Sequence, residues 1–321
     1  MRRMPTIDEE VCAQTRVRMD GDLSLADVRT LACKRADSWW TVLLVDPVAV
    51  RLVRWTARRT RITPDQVTWA ALVVGLGAAG CFLRGGAGWL AAGALLYHLS
   101  FVLDCVDGKL ARLQGSATLF GRWFEFALDR SRVACSAVAL MLGQSLRHGY
   151  TGVLALAVGV IFLDMFHSLN VLKTDQIRAA MRSELTQRPA CRSTGSPVVV
   201  EQLPCGEGAS EGEVGGTVDL HQGFRRRFPR YTRLRDRMLA RRIHLRPVSG
   251  IEFRTAVFVV GPATGQVVAV TLLAGAALVI AEVAAICELL FSFRDFGLAR
   301  AHLAAAPRLL PEARGAATRQ A

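Results

Sequence analysis

Residues 67–83 (VTWAALVVGLGAAGCFL) carry no charge, and neither do residues 87–103. Only Arg84, Gly85 and Gly86 separate the two runs. Each run is about 17 residues long, at the lower limit for a helix that crosses a bilayer. Two such runs joined by so short a connection read as a transmembrane hairpin. That feature limits the chain to membrane architectures before any other residue is considered.

The remaining apolar segments extend the pattern. Residues 133–143 are apolar and continue backward to Phe120 as a helix with a polar first half. Residues 152–172 make a further span, interrupted by Asp164 and His167. Residues 255–291 suffice for a short span, a break at Gly261-Pro262, and a long span from about Val267 to Phe291. The expected fold is therefore an all-α integral membrane protein with six transmembrane helices. Ahead of them, residues 38–60 mix Trp39, Trp40 and Trp55 with apolar residues and arginines, which suits an amphipathic helix lying in the membrane interface.

Charge placement gives the expected topology. Lys and Arg total 40 against 27 Asp and Glu, a net charge of +13, while 51% of residues are hydrophobic. Arg51, Arg54, Arg58, Arg59 and Arg61 precede the first span, and nine arginines from Arg225 to Arg242 lie between the fourth and fifth. The opposite loops hold only Arg84 and Arg147. Positive charge gathers on the cytoplasmic side, so both termini are expected there, in a bacterial inner membrane. The first apolar run begins too late for a cleavable signal peptide. Arginines segregated to one side of a membrane, with no nucleic-acid motif, exclude a DNA or RNA binder. The expected organisation is a mobile N-terminal segment (1–37), a juxtamembrane helix with spans one to four (38–175), and a partly disordered cytoplasmic insertion (176–221). A basic segment with spans five and six (222–292) and a cytoplasmic tail (293–321) complete it. The eight cysteines form no C-x-x-C pair and suggest no disulfide framework.

Chemistry concentrates at the end of the second span. The run D-C-V-D-G-K-L-A-R places Asp104 and Asp107 three residues apart, on one helix face. Glu125 and Asp129, four apart, share a face of the next helix. Two consecutive helices thus bring four carboxylates to one depth at a membrane edge, where like charges repel and are costly. Divalent cations are the natural compensation, and an all-oxygen ligand set favours Mg²⁺ or Mn²⁺ over Zn²⁺. The bland alternative is that the acids cap helices or pair with Arg112, Arg122, Arg130 and Arg132. Gly108, Ala111 and Gly121 either let a nucleotide approach the backbone or let helices pack closely. Arg112 either neutralises a phosphate or holds an acid. Thr63-Pro64-Asp65-Gln66 reads as a capping box with proline at the first helical position. Such a helix start also favours a pyrophosphate.

The pattern D-x-x-D-G-x-x-A-R-x(8)-G-x-x-x-E-x-x-x-D resembles the signature of the CDP-alcohol phosphotransferases. The T-P-D-Q-V-T stretch, the amphipathic N-terminal helix and the six spans resemble the same family, over roughly residues 38–175 and 222–292. The resemblance implies two divalent cations, with Asp104 contacting both, Asp107 one, Glu125 bridging, and Asp129 binding metal and serving as the base for an acceptor hydroxyl. It implies CDP-alcohol contacts at Thr63, Pro64, Asp65, Gln66, Gly108, Arg112 and Thr118. It also implies a membrane lipid as substrate partner, and homodimerisation. The chain departs from the signature at Glu125, where the family usually has aspartate.

The implied activity is transfer of a phosphatidyl-type group from CDP-diacylglycerol to a hydroxyl acceptor, with release of CMP, in phospholipid biosynthesis. Transfer from a soluble CDP-alcohol to a lipid hydroxyl is the alternative within the class. A transporter or a non-catalytic scaffold would also have buried spans, but neither needs two acid pairs beside a T-P-D-Q helix start. Arg130, Arg132 and Lys173 either receive an acceptor phosphate or represent positive-inside charge. Asp164 and His167 either line the acceptor cavity or pair with each other, and Glu282 has the same ambiguity.

Overall fold

In the computed structural model, the residues described are 24–33, 37–60, 62–115, 118–149, 151–186 and 248–305. Among them the chain is helical and contains no strand. The first 23 residues, the insertion from 187 onward, the arginine-rich run before the fifth span and the end of the tail lie outside them, whereas residues 176–186, expected in the partly disordered insertion, continue a helix.

Helix α1 (Leu25–Ala32) is followed by a π-helical stretch (Thr41–Val45) that runs into α2 (Asp46–Arg59). Helix α3 (Pro64–Arg84) starts at the expected capping box, in which Thr63 accepts from the Gln66 amide and the Gln66 side chain accepts from the Thr63 amide. It stops at Gly85, whose φ of 65° is the left-handed conformation glycine adopts without strain. Helix α4 (Ala87–Gln114) returns antiparallel and ends at Gly115, again with positive φ. Helix α5 (Leu119–His148) is capped by Thr118, which accepts from the Gly121 amide at 2.9 Å. Gly121 thus takes part in the cap. Helix α6 (Val153–Thr186) follows.

After the undescribed segment, Ser249 and Glu252 form a second capping box that starts α7 (Gly250–Thr255). A π-helical stretch (Ala256–Val260) leads into α8 (Gly261–Thr264), and α9 (Val267–Ala305) completes the order. The break expected at Gly261-Pro262 falls instead at Gly265, with φ of 70°. Pro262 is absorbed because the wider π turn just before it accommodates a residue that lacks an amide donor.

Among the described residues, four helices are long and apolar enough to cross a membrane: Pro64–Arg84, Ala87–Gln114, Val153–Met181 and Val267–Arg294. The sequence count of six is not reached by this measure. Helix α5 has the length, but its first half carries Glu125, Asp129, Arg130 and Arg132; the run from Gly250 to Thr264 is short and begins with Glu252 and Arg254.

The chain divides into two compact units. The first holds residues up to Leu169 together with 234–282. In it α3 packs along both α4 and α5, while α1 and α2 pack on α4. Near the turn between α3 and α4 the helices cross closely: a Cβ on Gly143 would collide with the Phe82 carbonyl, and one on Gly93 would collide with the Phe82 ring. One core cluster gathers Phe82, Tyr97, Leu140, Phe253, Phe258 and Leu278. A second, formed by Val28, Val45, Val53, Val106, Leu110 and Leu113, seats α1 and α2 against α4. The inward face of α2 therefore meets protein, while Leu43, Leu44, Val48 and Trp55 face outward. The second unit holds residues 170–233 and those from Val283 onward. Within it Arg178 pairs with Glu288 at 3.4 Å.

Two contacts lock α1 and α2 to the acid-bearing helix. Lys109 pairs with Asp46 at 3.0 Å, both side chains being almost fully buried. Arg112 donates from Nε to the Ala32 carbonyl at 2.8 Å. Lys109→Met is expected to lower stability by about 3–5 kcal/mol, because it leaves a buried carboxylate without its cation. A thermal melt of the purified protein in detergent checks this, and adding Asp46→Leu should recover part of the loss.

Candidate active site

The acids stand where α3, α4 and α5 meet. Asp107 is 2% exposed and accepts from the Thr68 hydroxyl at 2.7 Å and from the Gly108 amide at 2.5 Å. Thr68 lies one helical turn beyond Pro64, so this bond brings the T-P-D-Q start of α3 alongside Asp107. Thr63, Asp65 and Gln66 are exposed at that start. Glu125 reaches from α5 toward α4: a Cβ on Gly108 would stand 3.6 Å from its Oε1. The charges of Asp104 and Glu125 both bear on Asp107, and that of Asp129 bears on Asp104. Glu125 therefore stands beside Gly108, next to Asp107, while Arg132 pairs with both Asp104 and Asp129, so the acids fall into two levels, Asp107 with Glu125 and Asp104 with Asp129.

The second level is bound up with arginines. Arg132, 3% exposed, pairs with Asp129 and, at 3.3 Å, with Asp104. Its guanidinium also donates to Ser100 Oγ at 2.9 Å, and Ser100 in turn donates to the Ala71 carbonyl at 2.6 Å. The Arg132 stem crosses α3 at Gly75, where a Cβ would stand 2.5 Å from Arg132 Cδ. Gly75 is needed there to admit the arginine.

Beyond Arg132 lies a closed ring of four charges. Arg130 donates to Asp129 Oδ2 and to Asp164 Oδ2, each at 2.5 Å. Arg254 donates from Nε to Asp164 Oδ1 at 2.5 Å and from Nη1 to Asp129 Oδ2 at 2.8 Å. Each arginine forks between the same two aspartates, tying α5, α6 and α7 together. Two bonds per guanidinium in a site this buried hold the groups more firmly than surface pairs would. A cavity of about 10 Å³, room for roughly one water molecule, lies beside Arg132 and Arg254 and is also lined by Tyr97, His98, Phe101 and Thr255.

Asp164 and His167 do not pair with each other. His167 meets Glu282 of α9 through Nδ1 at 2.5 Å, and its Nε2 accepts from the Gly250 amide at 3.0 Å. With Nε2 accepting, the ring proton sits on Nδ1 and points at Glu282. This arrangement fixes the start of α7, one turn before Arg254. Gly250 is required, since a Cβ would stand 2.7 Å from His167 Cδ2. Lys173 belongs to the second unit, is exposed, and donates to Gln176 Oε1 at 3.3 Å.

The residue types fit a hard divalent cation. Asp107 is a buried carboxylate with two neutral donors, crowded by Asp104 and Glu125, and all their ligand atoms are oxygens. Among the described residues, however, no three Asp, Glu, His or Cys side chains are gathered closely enough to hold a metal ion. Both Asp129 oxygens are engaged by guanidinium groups.

Residues 61–187 match the CDP-alcohol phosphatidyltransferase family model. The match bears out the resemblance read from the motif, and it contains the T-P-D-Q helix start, all four acids and Asp164. No curated protein matches the chain. The CDP-alcohol phosphatidyltransferase domain supports general CDP-alcohol phosphotransferase activity, and hence an enzyme of the transferase class. Arg254, His167's partner Glu282 and the second capping box shape the site as well, but Arg254, Glu282 and that box lie beyond the matched stretch. Sequence reasoning missed Arg254, Thr68 and Gly75. For Arg254 the available signal was an arginine entering an apolar run in a chain that also holds an intramembrane Asp164.

Proposed function

We propose that this protein transfers the phosphate-linked alcohol of a CDP-alcohol, preferably CDP-diacylglycerol, to an acceptor hydroxyl and releases CMP. The observation that carries the reading is the pairing by level of two acid pairs beside the T-P-D-Q helix start. Thr63, Pro64, Asp65 and Gln66 at that start, with Gly108, Arg112 and Thr118, bind the nucleotide and its phosphates. Asp104, Asp107, Glu125 and Asp129 would hold two Mg²⁺ or Mn²⁺ ions, whose bound charge would supply Lewis-acid neutralisation of the phosphates. Asp129 accepts the proton of the acceptor hydroxyl. The hydroxyl oxygen then bonds to the phosphorus bearing the alcohol, and the bond from that phosphorus to CMP breaks, with the electron pair leaving on CMP. To take the proton, Asp129 exchanges at least one guanidinium contact for the hydroxyl. Arg130 and Arg132, which hold Asp129, border the place proposed for an anionic group on the acceptor.

The reading includes α5 and the run from Gly250 to Thr264 as the third and fifth of six spans. Their polar residues then face partners within the bundle, as in the contacts of Arg132 and Arg254. Helix α2 lies in the membrane interface, both termini are cytoplasmic, and the protein is a homodimer in a bacterial inner membrane serving phospholipid biosynthesis.

The test is CMP release by purified protein in detergent, given CDP-diacylglycerol, Mg²⁺ or Mn²⁺, and a panel of acceptors that includes inositol phosphate and glycerol phosphate. Metal-dependent CMP with one acceptor is expected. Failure of CDP-diacylglycerol to bind, or CMP from a soluble CDP-alcohol only, would overturn the choice of donor.

A further inference from the structure

We propose that the ring of Asp129, Arg130, Asp164 and Arg254 withholds the Asp129 carboxylate until an acceptor bearing its own anionic group takes Arg254 away, so that Arg254 excludes water as an acceptor. The inference rests on the reading of Asp129 as the base. Asp129 Oδ1 is engaged by Arg132, and Oδ2 accepts from both Arg130 and Arg254. A carboxylate has about four lone-pair sites, and three of these are filled by cations.

Arg254 is the member able to leave. Arg130 neighbours Asp129 in the chain and Arg132 is wedged over Gly75, whereas Arg254 arrives from a separate helix. Its bond to Asp129, at 2.8 Å, is the longest of the ring's four. Its bond to Asp164 runs through Nε, so the terminal nitrogens can turn toward a new anion while Asp164, 1% exposed, keeps its hold. The small cavity beside Arg254 and the π turn following α7 give local room for that shift.

An acceptor phosphate or carboxylate can engage a guanidinium through two parallel bonds, whereas Asp129 holds Arg254 through one. The acceptor hydroxyl then fills the place vacated on Asp129 Oδ2. Water brings no anion and leaves the ring closed. The acceptor class is therefore an alcohol whose hydroxyl lies within a few bonds of an anionic group, and hydrolysis of the CDP-alcohol is suppressed. This is specificity obtained by making assembly of the working site depend on the correct substrate.

The experiment measures CMP released from CDP-diacylglycerol and Mg²⁺ by the full chain in detergent, with no acceptor and with matched pairs: glycerol phosphate against glycerol, inositol phosphate against inositol. The wild type is expected to use the phosphorylated member of a pair and to hydrolyse the donor slowly. Arg254→Met should lose about tenfold or more in transfer while acceptor-independent CMP release rises by a similar factor, and Arg254→Lys should fall between. In the wild type itself, inorganic phosphate should speed acceptor-independent CMP release, since it opens the ring without supplying an alcohol. The proposal is overturned if phosphate leaves that rate unchanged or slows it. Equal use of glycerol and glycerol phosphate, or transfer and hydrolysis falling together in a folded Arg254→Met protein, would overturn it too. A wild type that releases no CMP under any condition instead refutes the proposed function.

Discussion

Replacing Asp129 by asparagine is expected to lower CMP release by a factor on the order of 10²–10⁴, the usual range for a lost general base. The substitution keeps the shape of the side chain and removes both its negative charge and its capacity to take a proton. It also leaves Arg130, Arg132 and Arg254 without the carboxylate they share. Arg130 and Arg254 keep Asp164 and Arg132 keeps Asp104, so the loss of stability should fall below the roughly 3–5 kcal/mol of a fully broken buried pair, and a lower melting temperature should accompany the lost rate. The two effects separate when rates are compared at a temperature where both proteins remain folded. A wild-type rate under those conditions would remove Asp129 as the base.

Glu125→Gln is the second change with a large expected effect. Glu125 faces Gly108 across the α4–α5 contact and bears on Asp107, which has only neutral donors of its own. If Glu125 belongs to the proposed cation site, loss of its charge should cost at least the roughly 10–100-fold in affinity that follows loss of an outer partner. The measurement is Mn²⁺ binding by calorimetry alongside CMP release across a metal titration. Glu125→Asp, which restores the residue usual at this position of the signature, should retain binding and turnover. Unchanged Mn²⁺ affinity in Glu125→Gln would take Glu125 out of the cation site.

How much was legible in the sequence depended on whether the relevant contacts are close along the chain. The hairpin rests on two long apolar runs, and the Thr63 helix start and the two acid pairs rest on spacings of three to four residues, which helical geometry makes neighbours. The π stretches were not legible, because they answer to packing around Pro262 and before α2 and have no reliable local signature. Asp164 and His167 share a helix face by spacing, yet each found a better partner on another helix. Spacing shows which residues share a face and says nothing of what that face meets.

By itself, then, the sequence determined that this is a helical chain with membrane-length apolar spans and a four-carboxylate motif of the CDP-alcohol phosphatidyltransferase type. These properties follow from hydrophobic length and from short-range helical periodicity. Only the tertiary structure decided that Asp107 meets Thr68, that Arg132 lies over Gly75, and that Arg254 closes a ring with Asp129, Arg130 and Asp164. The Asp129–Arg254 contact joins residues far apart in the chain. Such contacts depend on how several helices pack at once, because an ion pair forms only where packing brings its members within reach and shields them from water.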